Sequence, residues 1–254
     1  MFEIVTRELK GIFYSWKGAI WIVTCSLVFS GVSYLLLTDK ELSLLDQGEM
    51  LFMLTEVIIV LGLILSTVTA STIISGEREA GTLETLLLTP LPPLQIAVEK
   101  LISIIVLWLI LYLVSMPYIV VIANGTGLTA SAIIYTGLYG TILVLGISLI
   151  AIAVSAISNS TNTSLLTSLT LVLVLLSPTL FFSASLKNNG FGSVIESINP
   201  FSQAFNSLDN ILVDNIQVLI HQMQYIPALV IFLLVGAGIF YRSCRNLEFS
   251  GGTE

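Results

Sequence analysis

Residues 75–84, Ser-Gly-Glu-Arg-Glu-Ala-Gly-Thr-Leu-Glu, hold the densest run of charge in a chain of 254 residues of which only 10% is charged. Glu77, Arg78, Glu79 and Glu84 fall within eight positions, and that concentration marks a place where a partner with its own charges can be gripped. Other chemistry has little to stand on. Glu56 is isolated in a long apolar stretch, where burial of a carboxylate is costly and points to function, unless the side chain reaches a nearby interface. His221 is the only histidine, and no cluster has metal-ligand spacing. No Gly-x-x-x-x-Gly-Lys-Ser/Thr occurs; the run Gly125-Thr-Gly-Leu-Thr lacks the lysine that a phosphate cradle needs. Paired acids and Ser/Lys or Asp/Asp arrangements are also missing from the apolar runs, so neither a catalytic residue nor a metal site is assigned. Cys25 and Cys244 are too few and too far apart for a disulfide framework and read as small apolar fillers.

Composition dictates the elements that must carry these groups. Hydrophobic residues make up 56% of the chain and mean hydropathy is +1.00. A soluble domain carries about 25% charged residues and could not hide this much apolar surface in one core. A disordered chain is excluded by the same numbers, and a net charge of −7 argues against nucleic acid as a partner. Lipid is the solvent. Crossing it takes about 20 apolar residues as a helix, and six stretches approach that length: 18–38, 53–75, 101–123, 132–158, 164–186 and 225–241. Their continuous apolarity lacks the alternation of barrel strands. The expected fold class is an all-α membrane protein, with six transmembrane helices in one transmembrane domain over 1–254. Seventeen residues precede the first span and no small-residue site follows it, which is not the pattern of a cleaved signal.

Lys and Arg set orientation. With both termini inside, Arg7, Lys10, Lys17, Arg78, Lys100, Arg242 and Arg245 lie in the cytoplasm, and only Lys40 and Lys187 lie outside. This predicts an N-in/C-in topology. The outer loops are then acidic, either to attract cations or simply as solvated segments.

Three segments are not spans. Residues 1–17 read as an amphipathic helix: Phe2, Val5, Leu9, Ile12, Phe13 and Trp16 share an arc of about 100°. Basic and acidic residues fill the rest of the wheel, as in a helix lying in the membrane interface. Gly11 and Gly18 would permit a bend into the first span. In 76–96, Thr82 can cap a short helix in which Leu83, Leu86 and Leu87 share a face; Thr89-Pro90 ends it, and Pro93 can open the next span. A partner gripping this helix would tilt two spans together, whereas an amphipathic linker resting on the bilayer fits the same residues. Segment 187–224 contains Asn199-Pro200-Phe201 and then Leu212, Ile216, Leu219 and Ile220 at helical spacing, which predicts one or two short helices as an outer cap. Short polar connections at 124–129 and 159–163 predict tight antiparallel hairpins. Gly137, Gly140, Gly146, Ala153, Ser155, Gly236 and Gly238 allow close helix contact.

The residues Ser75-Gly-Glu-Arg-Glu, Gly81-Thr-Leu-Glu, Leu86-Leu-Leu-Thr-Pro-Leu and Lys100-Leu101 resemble the hallmark of the integral-membrane permease in the type-2 export branch of ATP-binding-cassette (ABC) transporters. Elsewhere the likeness is architectural. The resemblance implies that the short cytosolic helix is a coupling helix docking on a separate ATPase subunit. Carried onto this chain, its contacts are Glu77, Arg78, Glu79, Gly81, Thr82, Leu83, Glu84 and Leu87. It further implies two permeases, as a homodimer or with a paralogue, and two ATPases that hold ATP and magnesium; no cofactor belongs to this chain. Substrate would be exported by alternating access across the plasma membrane of a prokaryote. Two other readings stand beside it. One is a permease-like mechanotransmitter acting through 187–224 on an outer-face partner. The other is an ion-coupled secondary transporter using Glu56, for which the paired broken halves of such transporters are not evident. Ser, Thr, Gly and apolar side chains in the spans lean toward a hydrophobic or amphipathic substrate.

Overall fold

The computed structural model describes residues 5–6, 10–11, 16–38, 46–83, 92–181, 190–214 and 222–245. Among them the chain is helical and free of strands: α1 Trp16–Thr38, α2 Gln47–Thr72, α3 Ser75–Glu79, α4 Pro93–Ile122, α5 Thr129–Ile157, α6 Thr161–Phe181, α7 Gly190–Ile198, α8 Pro200–Leu212 and α9 Ile226–Arg245. Six of these, α1, α2, α4, α5, α6 and α9, are long and apolar enough to cross a membrane. The fold class is therefore all-α and six-span.

Several helices outrun the apolar stretches that announce them. α2 starts at Gln47 rather than near 53, because its polar first turn is packed: Gly48 lies so close to the Leu212 carbonyl that a Cβ there would overlap it. α4 starts at Pro93, whose missing N–H suits the first helical turn, and Ile96 and Ala97 already face the core. Gly18 is helical within α1, so no bend occurs there. Residues 84–91 lie outside the described chain. The short helix seen between α2 and α4 is α3, which precedes the position that the leucine spacing suggests.

α5 is the centre. Of its apolar stretch 72% is buried, and 61% for α2, against 22–33% for the other four spans. Around this pair sit α4, α6, α8 and α9, while α1 packs on α4 and α2 from outside. Glycines set the closest approaches. Trp108 of α4 inserts its ring between Gly62 of α2 and Gly140 of α5, and a Cβ on either glycine would collide with the ring. Its Nε1–H donates to Thr141 Oγ1 at 3.0 Å. Gly146 likewise accepts the Phe232 ring of α9. Small residues at helix contacts are what membrane packing requires, since lipid supplies no hydrophobic drive between spans.

At the end of the bundle opposite α3, α8 is buried rather than laid on top. Asn199 caps it, accepting from Phe201 N–H at 2.9 Å. Phe201, Ala204, Phe205, Leu208 and Ile211 then enter the main core. Part of its polar edge is satisfied inside: Ser207 Oγ bonds Tyr139 Oη at 2.5 Å and donates to Gln222 Oε1, and Asn210 Nδ2 donates to Tyr225 Oη at 2.5 Å, while Ser202 Oγ is buried without a hydrogen-bond partner among the described residues. Ile216, Leu219 and Ile220 lie outside the described residues.

Candidate functional site

The break between α2 and α3 sits beside apolar helices, where unpaired backbone groups find no water and must be met by protein. Each is met by a different span. Ser155 Oγ of α5 accepts from Ile74 N–H and Ser75 N–H at 3.1 and 2.9 Å. Ser164 Oγ of α6 donates to Ser71 O at 2.6 Å. Lys100 Nζ of α4 donates to Ile73 O at 3.2 Å.

The charges of α3 continue this pattern. Glu77 Oε1 pairs with Lys100 Nζ at 2.7 Å, and Lys100 is only 1% exposed. An ammonium so deep needs a carboxylate beside it. Arg78 reaches the C-terminal end of α5, where Nη1 donates to Ser158 O at 2.6 Å and Nη2 to Ala156 O at 2.8 Å. Glu79 reaches the start of α6: Thr161 N–H donates to Oε1 at 2.9 Å and Thr161 Oγ1 to Oε2 at 2.6 Å. The cation therefore meets the negative end of one helix dipole and the anion the positive end of the next. Both ends are adjacent because only residues 158–160 join α5 to α6.

Beyond the apolar part of α2, Glu79 is solvent-exposed. The Thr161 hydroxyl, and then the Thr161 amide, hold its carboxyl below the ordinary carboxylate range. α3 ends in a Schellman turn: Gly81 at φ +68 directs its N–H to Arg78 O at 3.1 Å, and Thr82 N–H to Glu77 O at 2.9 Å. Thr82 Oγ1 also turns back to Glu77 O, at 3.2 Å. Leu83 is buried against Ile74, Ala97 and Ile104. Residues 79–82 remain as an exposed tip. Between α2, α3 and α4 lies a cavity of about 290 Å³, walled by Thr69, Thr72, Ser103 and the Glu77–Lys100 pair.

The structure thus gathers Glu77, Arg78, Glu79, Gly81, Thr82 and Leu83 at one end of the bundle; Glu84 and Leu87 lie outside the described residues. Of the interfacial stripe, Val5 is buried and Trp16, at the start of α1, is 80% exposed, while Phe2, Leu9 and Phe13 are outside the described residues. Glu56 is half-buried on α2, nine residues from Gln47 and so ~14 Å into the helix. It is not part of this cluster. Sequence reasoning missed Lys100, Ser155, Thr161 and Ser164 as site residues. Lys100 carries a signal, as a cation beside Glu99 near the start of α4 and as part of the Lys100-Leu101 pair, and Ser155 reads only as a small residue at a helix contact.

A bundle of six apolar helices, with a polar helix folded against the ends of three of them, defines a multi-pass membrane protein. A family model described as ABC-2 family transporter protein matches residues 18–245, and the chain belongs to that family, the permease-type membrane components of ABC transporters. Membership implies partnership with an ABC ATPase subunit. Comparison with curated proteins returns no match.

Proposed function

We propose that this chain is the permease subunit of an ABC exporter, paired as a homodimer with two copies of a separate ATPase. In this reading both termini and the α3 end face the cytoplasm of a prokaryote, and residues 1–17 lie in the inner membrane interface. ATP and magnesium bind in the partner. The ATPase docks on the exposed tip at 80–82 and on the residues that follow, including Glu84 and Leu87. Binding of ATP draws the two ATPases together, the stroke enters each permease through α3, and substrate moves outward between the permeases.

The observation that carries the reading is the exposed tip set directly on a helix bound to three spans. Such an element turns a push from solution into movement of the bundle. Co-purification tests it. Thr82→Arg with Glu84→Ala is expected to strip the ATPase from the affinity-purified permease while the chain still inserts in the membrane. Undiminished ATPase recovery, with unchanged stimulation of hydrolysis, would overturn the docking site.

A further inference from the structure

From the geometry around α3 we infer that Glu77, Arg78 and Glu79 are positioning residues: a three-point clamp that makes α3 move as one body with α4 and the α5–α6 hairpin. This rests on the proposed permease reading and assigns these side chains a task other than touching the ATPase.

Successive side chains on a helix leave it about 100° apart, so three neighbours cannot all present themselves to one partner. Here they diverge onto three spans. Glu77 holds Lys100 of α4 at 2.7 Å; Arg78 holds the last carbonyls of α5 at 2.6 and 2.8 Å; Glu79 holds the first amide and hydroxyl of α6 at 2.9 and 2.6 Å. Each group is spent on an internal bond. Geometry makes the last two act together: because 158–160 is so short, any rotation of α3 away from the hairpin stretches both. The backbone at the α2–α3 break is bound by Ser155 and Ser164 of the same hairpin. Among the described residues of this segment, the tip at 80–82 is exposed next to this bonded surface. A force applied to the tip therefore passes into α5, the most buried span, rather than bending the α2–α3 joint. The motif divides its labour, with Glu77, Arg78 and Glu79 fastening inward and the residues after them facing the partner.

Pulsed EPR tests the clamp on the full chain in lipid nanodiscs. Spin labels go on Thr82→Cys and Thr167→Cys, both exposed positions, in a background where the buried Cys25 and Cys244 are replaced by Ser. The native clamp gives one narrow distance. Arg78→Gln or Glu79→Gln loses it, and so does Glu77→Lys, while Glu77→Lys with Lys100→Glu restores it; a chain that merely misfolds is not rescued by the reversed pair. A distance distribution unaltered in the first two variants overturns the inference. In unlabelled protein, whose docking tip is intact, the ATPase is expected to co-purify with Arg78→Gln as it does with the native chain. Release of the ATPase by Arg78→Gln, with the nanodisc distance unchanged, would make Arg78 a docking contact and overturn the clamp. If no ATPase co-purifies with the native chain, the permease reading fails, and the nanodisc measurement still decides the clamp.

Discussion

At the scale of the residue, scarcity of charge makes each ionised group consequential. Lys100 is buried at the end of a membrane helix and supports both Glu77 and the Ile73 carbonyl. Truncating one member of a buried pair typically costs about 3–5 kcal/mol, whereas replacing both with apolar or neutral groups is often neutral. Lys100→Ala is thus expected to lower the melting temperature in detergent clearly more than Lys100→Met combined with Glu77→Gln. Equal losses would show that the charges are not coupled. Glu79 adds a pH dependence. Its folded pKa is depressed, so its contribution is complete above the ordinary carboxylate value of about 4.3 and is lost as pH falls through the lowered value. Above that range Glu79→Gln is expected to reproduce the looseness of the acidified native chain, read as faster amide exchange at Thr161. Gly81 is a simpler case. Nothing crowds a Cβ there, but φ is +68, so Gly81→Ala is expected to destabilise the turn by about 1–2 kcal/mol through backbone strain alone.

At the scale of the element, the spans are held by insertion of large side chains into gaps left by small ones. Trp108 fills the space between Gly62 and Gly140. Gly140→Ala is expected to destabilise the bundle by about 1–3 kcal/mol, as overpacking does. In a Trp108→Ala background the same change should be far milder, and thermal unfolding of the four proteins measures this coupling. α8 obeys different rules, because an amphipathic helix buried at a bundle end must satisfy its polar edge. Tyr139→Phe removes the hydroxyl that meets Ser207 beside Gln222. Leaving such buried groups short of a partner costs about 1–3 kcal/mol, and the expected sign is faster exchange of the Leu208 amide. The spacing around Asn199-Pro200-Phe201 foretold a helix here. Its depth was not readable, since the same pattern suits a helix lying on a surface.

At the scale of the whole molecule, the distribution of Lys and Arg predicts that a reporter fused after Glu254 is active only in the cytoplasm; activity on the outer face would reverse the proposed topology and remove the ATPase from reach of α3. Membrane character and the number of spans were legible in the chain by itself. Each follows from composition and local order: apolar runs long enough for hydrocarbon, and charges too few to be scattered without purpose. Which span lies at the centre was not legible, because α5 and α1 are both apolar all round, and hydropathy does not distinguish a helix facing lipid from one facing other helices. The task of Glu77, Arg78 and Glu79 was hidden for a related reason. Their partners are Lys100, Thr161 and two backbone carbonyls, brought near only when α4 and the α5–α6 hairpin pack against α2. Sequence determined where the charge had to be concentrated, since lipid excludes it elsewhere. The tertiary structure decided which way those charges face, because only packing places the ends of three helices around one short turn.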